Sequence, residues 1–302
     1  MAVLRTPAFL PLLASTLGLF RHPRRGLDDP ALLPRIERAL AGATLDPAWL
    51  AAYRASVGLA DGPDLPPLAL QLAASPLHMA ILGDAQFPFR ALGLVHMAQR
   101  VTQIRPIPAD ATLDFRACST GARWEKRGMS FGLETEAWYE GECVWRGETR
   151  ALAPGQSLAP PHGAVAGAEE EPAGAAPMCD KWLHVPEATG RRYAAIAGDL
   201  NPIHQHALLA RLFGFRRAIV HGTWTLARAL AVAGLPQAPA FALDARFRRP
   251  VELPSDVVVR VWCARGGDAV PGGAPAQRIL VSPKGGGRTC VDIELVETTA
   301  PN

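Results

Sequence analysis

The sequence contains few cysteines, and they do not form a recognisable cysteine site. The five, Cys118, Cys143, Cys179, Cys263 and Cys290, lie far apart and include no C-x-x-C pair. An odd number of widely spaced cysteines argues against a disulfide framework and against a zinc centre. This pattern predicts a protein of a reducing compartment, the cytoplasm, that holds no metal.

Long runs of charge or of apolar residues are also missing. The net charge is +3 and no long basic or acidic run occurs, so no nucleic-acid-binding surface is expected. Residues 8–20 are mostly apolar, but they fall short of the roughly 20 residues that span a bilayer. Pro7 and Pro11 interrupt this stretch, and no cleavage site follows it. We therefore expect a packed helix or arm here, with no membrane partner.

The length and one low-complexity segment predict two domains. A chain of 302 residues is long for one compact domain. Residues 153–177 consist almost entirely of Ala, Pro, Gly and acidic residues, without periodic apolar positions. Burial cannot offset the entropy of ordering such a segment, which predicts a linker. It would separate an N-terminal domain with a helical extension, residues 1–152, from a C-terminal domain, residues 178–302.

The two halves repeat one pattern. A buried helix is predicted at residues 68–82, followed by strands at 94–104, 112–117, 132–139 and 142–152. The second half predicts a helix at 223–233 and strands at 241–247, 257–264, 278–282 and 289–296. An R-P-[IV] turn follows the first of these strands in each half, at Arg105 and Arg249. This weak duplication indicates two copies of one α+β unit.

The segment YAAIAGDLNPIH, residues 193–204, contains the most informative motif of the chain. Gly-Asp and Asn-Pro both favour turns, and Pro202 pushes Asn201 out of the helical region. The segment therefore predicts a stiff loop that holds the carboxylate of Asp199 and the imidazole of His204 five residues apart. Further along, the residues IVHG end at Gly222, where the second predicted helix begins.

This motif resembles the signature of the MaoC-like, (R)-specific enoyl-CoA hydratases, also called hydratase 2. The family pattern is an aromatic residue, then G-D-x-N-P-[ILV]-H, and downstream [IV]-x-H-G at a helix start. The matching positions are Tyr193, Gly198, Asp199, Asn201, Pro202, Ile203, His204, Ile219, His221 and Gly222. The first half has no G-D-x-N-P-x-H. The resemblance therefore implies a double hot dog fold, α+β, in which two antiparallel sheets each wrap a long helix and the C-terminal unit is catalytic.

The resemblance also implies roles for individual residues. Asp199 and His204 would act on one water, the backbone amide of Gly222 would stabilise the oxyanion, and Asn201 would support the loop. The predicted substrate-binding residues are Gly198, Pro202, Ile203, Phe215, Val220 and His221. For His221, a structural role in capping or packing is the favoured interpretation. The reaction needs no metal and no organic cofactor, since coenzyme A enters as part of the substrate.

The implied reaction is reversible hydration of trans-2-enoyl-CoA to (R)-3-hydroxyacyl-CoA. The sequence leaves open a dehydratase of 3-hydroxyacyl carriers or of branched or carboxylated acyl-CoAs. It also leaves open two proteins of another class, a hot dog thioesterase and a non-catalytic acyl-thioester-binding protein. The intact motif argues against both. The expected partner is an acyl-CoA or acyl-carrier thioester, and both a single chain and a homodimer of such chains fit.

Two further features allow more than one interpretation. His96 follows Leu94-Val95 much as His221 follows Ile219-Val220. Counted from the R-P turn of each half, however, His96 falls in a strand and His221 at a helix start, so this likeness is interpreted as accidental. Arg216 and Arg217 could meet the phosphates of coenzyme A or form a solvated face.

Overall fold

The computed structural model describes residues 4–5, 26–91, 93–155, 171, 176–234, 236–263 and 276–298. Its described strands form one antiparallel sheet: β1 Leu4–Arg5, β2 Glu37–Leu45, β3 Val95–Gln103, β4 Leu113–Glu125, β5 Gly128–Tyr139, β6 Glu142–Pro154, β7 Cys179–Val185, β8 Ala240–Phe247, β9 Ser255–Cys263, β10 Ala276–Pro283 and β11 Val291–Thr298. The described helices are α1 Pro47–Val57, α2 Ala69–Ala73, α3 Ser75–Leu82, α4 Thr189–Ala197, α5 Ala207–Arg211 and α6 Gly222–Ala233. Short 3-10 helices lie at Pro30–Leu32 and Pro202–His204.

The sheet consists of two units with the same strand order. The first unit runs β2-β4-β5-β6-β3, and the second runs β7-β9-β10-β11-β8. In both, the first strand lies at the outer edge and the second strand at the inner edge. The inner strands β3 and β8 pair with each other and join the two units into one sheet. This topology confirms the prediction of a double hot dog.

An ion pair marks the centre of the duplication. Arg100 and Asp244 face each other in the register of β3 and β8, and each lies five residues before its R-P turn. They are therefore equivalent positions, and the local twofold axis passes between them. Arg100 Nε lies 2.7 Å from Asp244 Oδ2. Since the Arg100 side chain is largely exposed, the ion pair adds little to the free energy of unfolding.

The segments before the two central helices are held in the same way. Leu65 N donates to Ile107 O over 2.7 Å, and Val220 N donates to Val251 O over 3.0 Å. Ile107 and Val251 each follow the proline of an R-P turn. Leu65 and Val220 are therefore equivalent, although the sequence around them is unlike.

The central helices agree with the predictions to different degrees. Helix α6 matches the predicted helix at 223–233. The helix predicted at 68–82 is wrong in detail, because it is divided into α2 and α3 with Ala74 between them. Pro76 lies in the first turn of α3, where it has no N–H to donate to the preceding turn.

Several elements were not predicted. Strands β2 and β7 were missed, and so were helices α1 and α4, although the buried residues of both helices recur at helical spacing. Residues 193–197, predicted as loop, are the end of α4. The predicted linker begins too early, because Ala153 and Pro154 belong to β6. Most of the linker, at 156–170 and 172–175, and the predicted helix or arm at 8–20 lie outside the described residues.

Helix α1 belongs to the first unit but packs against helices of the second. The indole Nε1 of Trp49 donates to Ile196 O over 2.8 Å, and that of Trp224 donates to Ser56 O over 3.0 Å. Arg228 Nη1 donates to Val57 O over 3.0 Å. These bonds satisfy carbonyl groups at the ends of α1 and α4, so the two units share one packed interface.

The described part of the chain includes no helix with the length and apolarity needed to cross a membrane. All five cysteines are free, with Cys118 and Cys290 buried.

Gly58 tests the interface between the units. It ends α1 in the left-handed conformation, with φ of 71°, and a Cβ there would lie 1.6 Å from Arg228 Nη1. We expect Gly58→Ala to lower the free energy of unfolding by roughly 1–3 kcal/mol, through backbone strain and displacement of the guanidinium. Chemical denaturation measures this loss.

The matched control is Gly62→Ala. A Cβ at Gly62 meets Arg54 Nη1 at 3.6 Å, an ordinary contact. A free energy of unfolding that is equal in both variants would contradict the proposed importance of Gly58.

Candidate active site

The loop after α4 is built from successive turns that its own side chains cap. Gly198 ends α4 in the left-handed conformation. Asp199 Oδ1 accepts a hydrogen bond from Asn201 N over 3.1 Å, and Asn201 Oδ1 accepts one from Ile203 N over 3.4 Å. Pro202 then occupies the first turn of the 3-10 helix. Asn201 thus braces the loop, and Asp199 is oriented by the backbone that follows it.

His204 is buried, and its hydrogen bond determines which ring nitrogen carries the proton. Nδ1 lies 2.9 Å from Ile219 O. A carbonyl oxygen only accepts, so Nδ1 must carry the proton and donate. In the neutral ring, Nε2 therefore presents an unprotonated lone pair. It faces Asp199, whose Oδ2 is 3.7 Å away.

Asp199 lies above two buried imidazoles. Its Oδ2 is 3.7 Å from His204 Nε2 and also 3.7 Å from His221 Nε2. These distances exceed a direct hydrogen bond and suit a water or substrate oxygen held between the groups. The Asp199 side chain is 49% exposed, whereas both histidines are buried. Solvent therefore reaches the site from the side of the carboxylate.

His221 is part of the same cluster. Its ring stacks on that of His204, with 3.6 Å between centroids and 24° between planes, and the edge of Tyr193 packs against it. Its Nε2 donates to Asp199 O over 3.2 Å. Sequence reasoning favoured a structural role for His221. The structure places it against both members of the predicted pair, where it holds the Asp199 backbone.

Both site histidines are neutral at neutral pH. Burial lowers the pKa of His204, and the nearby Asp199 carboxylate opposes this shift only in part. Burial and the adjacent His204 lower the pKa of His221 to about 4. The unprotonated state of His204 Nε2 is thus the resting state, ready to accept a proton.

Gly222 begins α6, so its amide has no carbonyl acceptor one turn earlier in the helix. It lies at the positive end of the helix dipole. Packing accounts for the glycine at this position, because a Cβ here would lie 2.9 Å from the ring of Phe247.

Phe247 links this amide to the first unit. Its ring packs against His96 of β3, with 4.5 Å between centroids. His96 Nε2 donates to Ala98 O over 3.0 Å, and burial lowers the pKa of His96 to about 4 while Asp199 opposes the shift. The sequence correctly placed His96 in a strand. Its position in the wall behind Gly222 depends on the β3–β8 pairing, which no local pattern shows.

The remaining predicted substrate-binding residues frame the loop. Ile203 and Val220 are buried, Pro202 and Phe215 are half-buried, and Gly198 is exposed. Ile219 N donates to Ile203 O over 3.1 Å, and Phe215 N donates to Ala210 O over 3.1 Å. Contact of these residues with substrate stays a prediction.

The equivalent positions of the first unit lack the reactive groups. Gly58 ends α1 in the same left-handed conformation as Gly198 ends α4, so Leu59 occupies the position of Asp199. The equivalence of Leu65 and Val220 places Pro67 at the position of Gly222. Proline has no N–H. The first unit therefore provides neither the carboxylate nor the amide donor.

Three side chains of the site could in principle bind a metal ion, since one ligand atom from each of Asp199, His204 and His221 lies within 4.8 Å of the others. However, His221 Nε2 donates to the Asp199 carbonyl oxygen and so carries a proton. Its remaining nitrogen, Nδ1, is buried and makes no hydrogen bond to a described group. This donor set fits proton transfer better than it fits metal ligation.

Comparison with known proteins agrees with this site. Residues 169–270 match the family model described as MaoC like domain. The 3-hydroxyacyl-thioester dehydratase X of Mycobacterium tuberculosis is 33% identical over 234 residues, covering 74% of this chain and 79% of the relative. A crystal structure of HtdX from M. tuberculosis superposes with a TM-score of 0.70 at 27% identity, covering 86% of this chain and 99% of that chain.

A MaoC-like dehydratase from Phytophthora capsici has the same fold, with a TM-score of 0.71 at 18% identity over 90% of this chain and 98% of that one. Sequence identity over most of both chains, the matched domain and the double hot dog topology agree. This chain therefore belongs to the family of MaoC-like dehydratases, which are hydro-lyases.

Proposed function

We propose that this protein catalyses the reversible hydration of trans-2-enoyl thioesters to (R)-3-hydroxyacyl thioesters, with Asp199 and His204 as the acid–base pair. The observation that carries the proposal is the lone pair of His204 Nε2, which faces the Asp199 carboxylate at 3.7 Å. One water can contact both groups at this separation. The M. tuberculosis relative is a 3-hydroxyacyl-thioester dehydratase, which supports the same reaction.

In the hydration direction, Asp199 orients the water and His204 Nε2 accepts one of its protons. The water oxygen forms a bond to Cβ of the enoyl group, and the electron pair of the double bond moves toward the thioester. The Gly222 N–H donates to the thioester oxygen, which carries the enolate charge. The proton on His204 then transfers to Cα, so one water is added in total. Dehydration follows the same steps in reverse.

The surroundings of the pair suit these steps. The bond from His204 Nδ1 to Ile219 O holds the ring in place while Nε2 gains and loses its proton. Asp199 stabilises the imidazolium that forms. We propose that the first unit shapes the acyl pocket, because its His96 and Phe247 of the second unit stand behind the Gly222 amide.

We also propose a compartment for the protein and the number of chains that it needs. Five free cysteines favour a cytoplasmic location. Since β3 and β8 already pair within one chain, the double unit needs no second copy to complete its sheet. A homodimer, and a branched or carboxylated substrate as the alternative, stay predictions.

Conservative variants of the pair test the assignment. We expect Asp199→Asn and His204→Asn each to lower kcat/KM for crotonyl-CoA by about a hundredfold or more. The amide that replaces the Asp199 carboxylate can still accept from Asn201 N, and the amide that replaces the His204 ring can still donate to Ile219 O. Loss of enoyl-thioester absorbance measures the rate.

The control for this experiment is His206→Asn on the same loop. His206 caps α5 by accepting from Leu208 N, and asparagine preserves that cap. If His204→Asn retained at least a tenth of the wild-type rate, the acid–base role of His204 would be wrong.

The pH dependence follows from the lowered pKa of His204. Protonation of Nε2 removes the base, so kcat/KM should fall as pH falls, with its midpoint below 6.5, the ordinary pKa of histidine. An acid limb centred above pH 6.5 would contradict the neutral resting state.

Thermal stability must be followed at each pH in the same series. The pKa values of His78, His96 and His221 are lowered by burial to about 4, from 6.5. Between pH 6.5 and about 4 the unfolded chain binds more protons than the folded one, so the free energy of unfolding falls as pH falls through this range. A loss of rate counts as titration only where the protein remains folded.

We propose that the reaction uses no metal and no organic cofactor, with coenzyme A present only as part of the substrate. Incubation with EDTA followed by gel filtration should then leave kcat for crotonyl-CoA unchanged. A loss of activity that added Zn²⁺ or Mg²⁺ restores would show that the Asp199, His204 and His221 cluster binds a metal.

A further inference from the structure

An apolar surface lies beside the active site. Five large apolar side chains within residues 200–213 are exposed, and we call them the apolar face: Leu200, Leu208, Leu209, Leu212 and Phe213. Leu200 directly follows Asp199 and is 71% exposed, while Leu212 is 79% exposed. Of the exposed large apolar side chains among the described residues, the remaining four lie outside this segment. Such clustering indicates an interaction surface.

The apolar face stands on an ordered segment. Leu208 and Leu212 are four residues apart on α5 and the turn after it, as are Leu209 and Phe213, so each pair shares one side. Phe215 N donates to Ala210 O and Arg211 Nε donates to Arg216 O, which closes the turn. The leucines are therefore presented to solvent by a defined backbone.

This segment belongs to the catalytic unit alone. Gly58 of the first unit is equivalent to Gly198 of the second, and Pro63 is equivalent to Ala218. The chain advances five residues from Gly58 to Pro63 but twenty from Gly198 to Ala218. Leu65 and Val220, two residues beyond these ends, have the same hydrogen bond. The added residues hold His204 and the apolar face together, so the face accompanies the catalytic loop.

The stretch of sequence that contains the apolar face has an excess of positive charge. Between Ala188 and Leu243, Asp199 is the sole acidic residue. The same stretch contains six arginines: Arg191, Arg192, Arg211, Arg216, Arg217 and Arg228. Those at 191, 192, 211, 216 and 217 are exposed and form no ion pair with a described carboxylate. Their charge is therefore available to an acidic partner.

We propose that the apolar face and its arginines dock an acidic carrier protein that delivers the acyl thioester to Asp199 and His204. The inference rests on the proposed function and names the carrier of its substrate. A protein fits better than coenzyme A alone, because a cluster of exposed apolar side chains beside charged ones is typical of a protein–protein interface. The carrier binds through opposite charge and its acyl arm enters beside Leu200.

Other occupants fit the charge less well. A second copy of this chain would bring the same arginines to the interface, so the two faces would repel. The apolar residues 8–20 of the chain are flanked by Arg5, Arg21, Arg24 and Arg25, which have the same sign as the surface.

The test compares one acyl group on two carriers. Rates are measured with crotonyl-CoA and with the crotonyl thioester of a purified bacterial acyl carrier protein, at low and high salt. We expect Arg211→Glu and Leu212→Glu to raise KM for the carrier-bound substrate at least about fivefold, and to leave kcat/KM for crotonyl-CoA within about twofold. The KM for the carrier-bound substrate should also rise with salt.

Matched controls place the same changes on the first unit. Arg123→Glu and Leu32→Glu alter an exposed arginine and an exposed leucine there, and both should match wild type on either substrate. An equal loss on both substrates would assign the surface to the coenzyme arm or to loop folding and overturn the proposal. If neither variant lost activity on either substrate, the apolar face would be an ordinary solvated surface, and the proposal would be overturned as well.

Binding measurements separate this proposal from the proposed function. If wild type turned over neither thioester, the reaction would be wrong, and calorimetric titration with the carrier protein would still test docking. A Kd that weakens in Arg211→Glu but not in Arg123→Glu supports the surface. Two other outcomes would overturn the proposal. If Arg211→Glu kept carrier binding but no longer sedimented with phosphatidylglycerol vesicles, the surface would bind a membrane. If it kept carrier binding but no longer dimerised in gel filtration, the surface would bind a second copy of the chain.

Discussion

The hydrogen bond between His204 Nδ1 and Ile219 O is the contact on which the site depends. It fixes the tautomer, so the lone pair of Nε2 faces Asp199. Ile219 is itself held, because its N–H donates to Ile203 O and it bridges to Glu252 beyond the R-P turn. The catalytic loop and the start of α6 are thus joined by two bonds through one residue. A substitution that moved Ile219 would disturb the imidazole and the Gly222 amide together.

The two units show how a duplicated fold can lose its chemistry and keep its packing. Tyr53 and Tyr193 each lie five residues before a left-handed glycine, and both are buried. The first unit has Leu59 in place of the carboxylate and Pro67 in place of the amide donor. It nevertheless supplies Trp49 and the carbonyl groups that Trp224 and Arg228 require. Since leaving buried donors unpaired costs about 1–3 kcal/mol each, the inactive unit cannot be removed without destabilising the active one.

What the sequence could predict depended on how local the signal was. The G-D-x-N-P-I-H motif located Asp199 and His204, and the R-P turns indicated the duplication. Strands β2 and β7 were missed because outer-edge strands alternate weakly, and their assignment comes from pairing with β4 and β9. His221 and His96 reach the site through a ring stack and a strand pairing between residues far apart in sequence. Such contacts leave no periodic trace. Sequence reasoning therefore assigned His221 only as a substrate-binding residue with a favoured structural role, and the likeness of His96 to it was interpreted as accidental.

The geometry also explains why the reactive groups differ in exposure. The proton acceptor must be neutral, and burial of His204 beneath the loop makes it so. Asp199 must orient water, and it is half-exposed on the side of Leu200. A deeper carboxylate would lose access to substrate, while a more exposed imidazole would be protonated more readily. The loop separates the two environments within five residues, because Asn201 and Pro202 turn the chain from the surface into the core. The residues that make this turn possible are the same added residues that distinguish the catalytic unit from its partner.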